Sequence, residues 1–396
     1  LHAPHARRAR RTAPLFVALL GALALAAPAA AQTRAAPPYP GALGPVPFGH
    51  TKYTLVDHDR ADRTMEVQVW YPIDPDQANG PHAFYRLGFG TLGVTSAAGY
   101  EGKPPATRPA MPLVVFSHGS GGVNVQSIDL METLASHGFV VAAPNHTGNT
   151  AIDFLLGTTE SFALSAVHRP QDVSFVIDDM ARRANDPTSP FYARVNTFKV
   201  AVVGHSFGGY TALAVASGVA TVPPDPRVRV IVPTAPASFI LSDSQLASID
   251  VPMLVLGGTL DTTTPVEPNS ARPFALVAGR PAIRVDITGA MHLHFSNACE
   301  LGSILLANGL DEEVVFQLVD GYEETCGPGA YPVAEAHRLQ DLYTVAFIRR
   351  HLLGDMRYER FLTPAYALAN EPTVTVWRKD VDLPFWWAWY LALYSR

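Results

Sequence analysis

Val200-Ala201-Val202-Val203-Gly204-His205-Ser206-Phe207-Gly208-Gly209-Tyr210 decides how the rest of the chain is read. Four apolar residues run into a Gly-x-Ser-x-Gly pentapeptide, and a helical run, 210–220, follows. That spacing belongs to a sharp strand-to-helix turn, in which the serine backbone is strained and the residues two positions away must be small. Gly204 and Gly208 meet the demand. The turn would lift the Ser206 hydroxyl off the end of a strand and set it at a helix N-terminus, where developing negative charge is stabilised. A glycine-rich turn with a capping serine is the plain structural alternative.

Outward from this point, short apolar runs recur. Leu113-Val114-Val115-Phe116 and Phe139-Val140-Val141-Ala142-Ala143 precede it; Val228-Arg229-Val230-Ile231-Val232, Met253-Leu254-Val255-Leu256 and Ile283-Arg284-Val285-Asp286-Ile287 follow. Residues 64–71 alternate polar and apolar, as a half-buried strand does. Between the runs, 173–184 has helical periodicity, with Val173, Phe175, Val176 and Met180 apolar. Apolar strands separated by helices predict an α/β fold with a mostly parallel sheet covered on both faces. In such a sheet the ligand crevice lies outside the carboxyl ends of the strands.

The candidate chemistry sits at those ends. Asp261 closes Gly257-Gly258-Thr259-Leu260-Asp261, and His292 closes Gly289-Ala290-Met291-His292. A serine hydroxyl needs a base within hydrogen-bond reach, and an acid that fixes the base's tautomer. Ser206, Asp261 and His292 supply nucleophile, acid and base in that chain order. His294 is the rival base and Asp286 the rival acid. Ser117-His118-Gly119-Ser120-Gly121-Gly122 is a small loop whose backbone can approach a substrate oxygen. The amides of Phe207 and Ser120 are expected to form the oxyanion hole. The loop lacks the Lys-Ser/Thr ending of a phosphate cradle. His292-Leu293-His294 has no third ligand at metal spacing, so neither metal nor organic cofactor is expected. His118, His146 and His205 are expected to order loops by hydrogen bonding.

Taken together, Gly204-His205-Ser206-Phe207-Gly208-Gly209, Phe116-Ser117-His118-Gly119 and Met291-His292-Leu293-His294-Phe295 resemble the α/β-hydrolase superfamily. Within it they resemble the platelet-activating-factor acetylhydrolase and dienelactone-hydrolase-like branch. Trp70-Tyr71-Pro72 and the helix start at His168-Arg169-Pro170-Gln171-Asp172 look like that branch too. The resemblance covers residues 50–355. It implies a serine mechanism, the base three positions before a phenylalanine (His292 before Phe295), and the loop donor after His-Gly, at Ser120. The sequence departs from the acetylhydrolases at Val232-Pro233-Thr234-Ala235-Pro236-Ala237, where their acid is missing and Asp261 takes the role. It departs from dienelactone hydrolases in having Ser206 where they use cysteine. Cutinases and polyester hydrolases share the same catalytic order.

The 396 residues are 48% hydrophobic and 16% charged, enough for a substantial core, and the formal charge of −6 provides no basic field for nucleic acid. Arg7, Arg8, Arg10 and Arg11, an apolar stretch 14–28 and Ala29-Ala30-Ala31 read as a signal peptide, 1–31, with an uncut membrane anchor as the alternative. A linker is expected at 32–50, a catalytic domain at 51–360 and a C-terminal tail at 361–396. Export makes a disulfide between Cys299 and Cys326 the expected state, against two buried thiols. It would anchor 298–327, read either as a flap beside the base or as a stable surface insertion. Phe385, Trp386, Trp387, Trp389 and Tyr390 suit peripheral lipid contact or docking onto the domain. The expected function is a secreted or periplasmic serine hydrolase acting on small-molecule or lipid carboxylic esters of the short-chain, acetylhydrolase-like kind. A cutinase, polyester or lipase-type hydrolase is the alternative, and a catalytically silent binding protein is the alternative of another class.

Overall fold

The computed structural model describes residue 1 and residues 36–380 apart from 89 and 320. Its strands are Phe48–Asp57 (β1), Arg63–Pro72 (β2), His82–Arg86 (β3), Gly93–Glu101 (β4), Met111–Ser117 (β5), Val140–Pro144 (β6), Val195–His205 (β7), Val228–Thr234 (β8), Met253–Gly258 (β9), Ala282–Ile287 (β10) and Val374–Lys379 (β11). They form one sheet in the order β11-β10-β9-β8-β7-β5-β6-β2-β1-β4-β3. From β6 through β5, β7, β8 and β9 to β10 every pairing is parallel. The sheet turns antiparallel at β2 on one side and at β11 on the other.

The helices are Ile128–Ser136 (α1), Ala151–Leu156 (α2), Phe162–Asn185 (α3), Phe207–Ser217 (α4), Asp243–Ser248 (α5), Arg272–Leu276 (α6), Ala298–Ala307 (α7), Glu312–Leu318 (α8), Tyr322–Cys326 (α9), Val333–Leu352 (α10) and Pro364–Asn370 (α11). The apolar runs are continuous because alternate residues serve two cores. Val114, Phe116, Val203, Val232 and Leu256 pack with Leu134 of α1 and Leu342 of α10. Leu113, Val115, Val202 and Val255 pack with Val176 of α3 and Leu213 of α4 on the other face. Period-two side-chain direction in a strand covered on both sides produces this division.

Helix α3 starts earlier than its periodicity suggests, at Phe162, with the Ser161 side chain accepting from the Leu164 amide. The stretch 168–172, read as a helix start, therefore lies inside it. Pro170 has no N–H to give to the carbonyl four residues back. That carbonyl, Ala166 O, instead accepts the Tyr210 hydroxyl at 2.9 Å, so the helix passes the proline and gains a tie to α4.

Two expected boundaries move. The linker 32–50 overlaps β1, and before it the Gly44 and Val46 amides already donate to Ser136 of α1. Its Pro/Gly composition hid an order that comes from docking rather than from local periodicity. The tail from 361 is likewise part of the domain through 379: α11 leads into β11, which pairs antiparallel with β10 from Lys379↔Ala282 to Val374↔Ile287. Val374 and Val376 point into the core and Thr375 and Trp377 away from it. The stretch 1–31 expected to be a signal peptide, apart from residue 1, and the aromatic stretch 383–394 lie outside the described residues. Among the described residues no helix is long and apolar enough to cross a membrane.

Cys299 in α7 and Cys326 at the end of α9 are disulfide-bonded, with Cα atoms 5.4 Å apart and a sequence separation of 27.

Candidate active site

The site is assembled at the carboxyl ends of neighbouring strands. Ser206 follows β7 directly and is the N-cap of α4, with φ 58° and ψ −118°. A non-glycine residue at positive φ is strained, and it persists only where its surroundings over-determine it. Here the Ser206 amide donates to Thr234 O at 2.9 Å, and its carbonyl accepts from Ala237 and Tyr210. Both flanking glycines are required sterically. A Cβ on Gly204 would lie 2.2 Å from Gly208 O, and one on Gly208 would lie 1.8 Å from Ser117 O.

Asp261 follows β9 and His292 follows β10. Asp261 Oδ2 lies 2.8 Å from His292 Nδ1, with the aspartate side chain fully buried and the histidine partly open. Asp261 Oδ1 accepts from the Thr263 and Thr264 amides at 2.9 and 2.7 Å. Burial works to raise the Asp261 pKa, but the His292 ring and Thr264 outweigh it and hold the carboxyl below its ordinary value. An ionised acid then accepts from His292 Nδ1–H and leaves Nε2 as the basic nitrogen.

The rivals are committed elsewhere. His294 Nδ1 accepts from the Met291 amide at 3.0 Å, and Nε2 bonds Tyr331 O at 2.8 Å. Asp286 is paired with Arg284 at 2.6 Å.

Ser206, His292 and Ser120 face one cavity of about 420 Å³. Its apolar walls include Leu87, Val123 and Phe154 on one side and Leu301 and Leu305 of α7 on the other, with Gln317 and Val319 beyond them. The disulfide-bonded segment therefore lines the cavity rather than lying apart from it. Phe154, Leu156 and Phe162, each more than half exposed, extend an apolar surface outward from α2 and the start of α3.

In the loop after β5, most amides are already used. Gly119 N donates to Gln126 Oε1 at 2.8 Å, Gly121 N to Asn149 O at 3.2 Å and Gly122 N to Gly119 O at 3.1 Å. Among the described residues Ser120 N has no acceptor. Phe207 N is the first amide of α4 and has no partner within the helix. These are the two amides expected to form an oxyanion hole, and both are free to take a ligand oxygen.

Two residues that sequence reasoning passed over complete the arrangement. Thr264 Oγ1 lies 2.8 Å from Asp261 Oδ2 and 3.2 Å from His292 Nδ1, and donates to Ala235 O. Its place three residues after Asp261, where an aspartate side chain caps its own turn, was the available signal. Gln126 has no such local signal. Its amide nitrogen donates to His205 Nδ1 at 2.8 Å, and His205 Nε2–H donates to His292 O at 2.9 Å. Burial, with the His292 ring beside it, lowers the His205 pKa to about 3, so the ring is neutral and can fill both roles. Gln126 and His205 together thus connect the loop after β5 to the peptide carrying His292.

A second Ser–His–Asp set lies buried behind the first. Ser117 Oγ is 2.9 Å from His146 Nε2, and His146 Nδ1 is 2.9 Å from Asp172 Oδ2. All three are fully buried. Asp172 also takes Arg60 and Arg63, and burial and the Arg169 charge press the His146 pKa down to about 3. His118 donates from Nδ1 to Gly119 O and accepts the His146 amide at Nε2.

A family profile described as PET hydrolase-like matches residues 94–306, more than half of the chain. The match spans Ser120, Ser206, Asp261 and His292 and ends inside α7. Cutinase cut1 of Thermobifida fusca is 25% identical over 360 residues, which is 90% of this chain and 84% of its own. Cutinase 2 of Thermobifida cellulosilytica is 26% identical over 262 residues, 66% of this chain and 76% of its own. A putative phospholipase A2 of Schizosaccharomyces pombe is 29% identical over 149 residues, 28% of this chain and 33% of its own. These matches place the chain in the α/β-hydrolase superfamily, as its motifs imply, and do not single out the acetylhydrolase and dienelactone-hydrolase branch.

Proposed function

The chain belongs to the PET hydrolase-like family of carboxylic-ester hydrolases, and on that premise we propose that it is an exported serine hydrolase that cleaves cutin- or polyester-type esters through an acyl-enzyme on Ser206. The observation that carries this reading is that Ser206 and His292 line one cavity while Asp261, its side chain buried, lies 2.8 Å from His292 Nδ1.

His292 Nε2 takes the proton of Ser206 Oγ as the oxygen adds to the ester carbonyl carbon. The C=O electrons move onto the carbonyl oxygen, where the Phe207 and Ser120 amides receive the charge without reorganising. Asp261 holds the ring and stabilises its imidazolium. As the tetrahedral centre collapses, the C–O bond to the alcohol breaks and His292 returns the proton to the leaving oxygen. Water then repeats the sequence on the Ser206 acyl ester and releases the acid. No metal or cofactor enters the scheme.

The exposed apolar surface at Phe154, Leu156 and Phe162, continuous with the cavity through Phe154, supports a substrate that extends beyond the site. The α7 and α8 wall favours a second reading, in which the 298–327 segment acts as a flap whose wall limits the acyl group, and short-chain soluble esters are the main substrates. Release of acid from an amorphous aromatic polyester film, measured beside a series of soluble p-nitrophenyl esters, separates the two. Film hydrolysis that disappears in Ser206→Ala is expected. Turnover of the acetate ester with an untouched film would leave the short-chain reading standing. In the same series, Leu305→Trp should cut turnover of the longest acyl ester about tenfold relative to acetate, because it fills the apolar wall. The Arg cluster 7–11 and the small residues 29–31 support export, which an N-terminus at Gln32 in protein recovered outside the cytoplasm would establish.

A further inference from the structure

Arg169 is fully buried in the middle of α3, and nothing in the reaction scheme uses it. Its partners are unusual in being drawn almost entirely from the two segments that carry the free amides. One terminal nitrogen donates to His118 O and, at 3.2 Å, to Ser117 Oγ. The other donates to Asn149 Oδ1 at 2.6 Å, and Asn149 Nδ2 donates on to Ser120 Oγ at 3.1 Å while its backbone carbonyl accepts from Gly121 N. The third, Nε, donates to Thr211 Oγ1 at 3.1 Å, on the first turns of α4. The guanidinium plane lies over the Phe207 ring, with Cζ 4.8 Å from its centroid, and Phe162 stacks on the same ring at 4.7 Å.

A planar fork with five fixed donors is suited to holding several acceptors in one geometry, which a lysine ammonium cannot reproduce. We infer that Arg169 is a positioning residue that sets the separation of the Ser120 and Phe207 amides, and so tunes the oxyanion hole from behind. The inference rests on those two amides being the donors in the proposed esterase mechanism. Oxyanion stabilisation depends on donors already aimed at where charge develops, so a small displacement acts on the transition state rather than on the ground state. Losing one such donor outright costs about 10²–10³ in kcat. Loosening both should cost less than losing one, about 10- to 100-fold.

The test measures kcat and KM on a soluble p-nitrophenyl ester for Arg169→Met, Arg169→Lys and Asn149→Leu, with circular dichroism to check folding. The expected result is a kcat lowered about 10- to 100-fold in Arg169→Met with KM within about threefold, since a transition-state contact leaves ground-state binding alone. Arg169→Lys should recover little of the loss, because the fork and not the charge alone is required. Inhibition by a boronic acid, whose adduct with Ser206 is tetrahedral, should weaken by the same factor as kcat. A folded Arg169→Met enzyme with kcat unchanged, or with its loss appearing in KM, overturns the inference. If Arg169→Met does not fold, Asn149→Leu decides: kcat lowered about 3- to 10-fold supports the inference and full kcat overturns it. Ser206→Ala retaining ester turnover would instead overturn the mechanism on which the inference rests, a result independent of the Arg169 variants.

Discussion

The chain contains two Ser–His–Asp sets with nearly the same His–Asp contact, 2.8 and 2.9 Å, and opposite surroundings. In both, a serine stands at the end of a parallel strand and a histidine Nδ1 lies within 2.9 Å of an aspartate. Ser117, His146 and Asp172 are sealed from solvent, and the Ser117 hydroxyl is held between His146 and the Arg169 guanidinium. Ser206 sits on a strained backbone at a helix N-terminus, beside a cavity and two uncommitted amides. A hydrogen-bonded trio is therefore not by itself a site. What separates the two is access, and the unused donors that could receive charge when the serine attacks.

The sharpest way to break this contrast is to remove each hydroxyl. Ser206→Ala should lower kcat on a soluble ester by about 10⁴- to 10⁶-fold, as loss of a nucleophile does. Ser117→Ala should lower it no more than about tenfold and instead cost about 1–3 kcal/mol in urea unfolding, the penalty of leaving buried partners unsatisfied. Labelling by a fluorophosphonate should follow Ser206 alone; a labelled Ser117 would abolish the distinction.

The aspartates should divide the same way, with a smaller effect. Asp172→Ala leaves Arg60 and Arg63 without their shared buried partner, and should cost about 3–5 kcal/mol of stability. Equilibrium urea unfolding reads this directly, and a loss below 1 kcal/mol would show that the buried set is not a stabilising ion network.

The smallest effect is that of pH. Because the folded-state pKa of His146, about 3, lies below its unfolded value, the unfolded chain binds the extra proton first. Its contribution is complete above about pH 6.5 and is lost as pH falls toward 3. Between pH 7 and 5 the wild type should lose about 2 kcal/mol relative to His146→Asn, measured as the difference between their unfolding free energies. Equal slopes for the two proteins would mean that His146 is not held neutral.

Much of the site was legible in the sequence, because its constraints are local. Gly204 and Gly208 must be glycine because neighbouring backbone leaves no room for a Cβ. The apolar runs that became β5 to β10 are continuous because both faces are covered. The outer strands were harder to read. β1, β3, β4 and β11 are short or half-exposed, and Pro/Gly-rich or aromatic flanks masked their alternation. The contacts of Gln126 and Arg169 were invisible for a different reason: each meets residues that the chain reaches only after folding, His205 in one case and His118, Asn149 and Phe207 in the other.

The amino-acid sequence alone determined the sheet's parallel centre, the elbow at Ser206 and the candidates for acid and base, since each follows from residue type and spacing along a few positions. Only the tertiary structure chose which histidine meets Asp261, which charge pairs with Asp286, and which serine opens on the cavity. Those choices turn on which side chains meet across separate strands and which of them water and substrate can reach, and neither property belongs to any short stretch of chain.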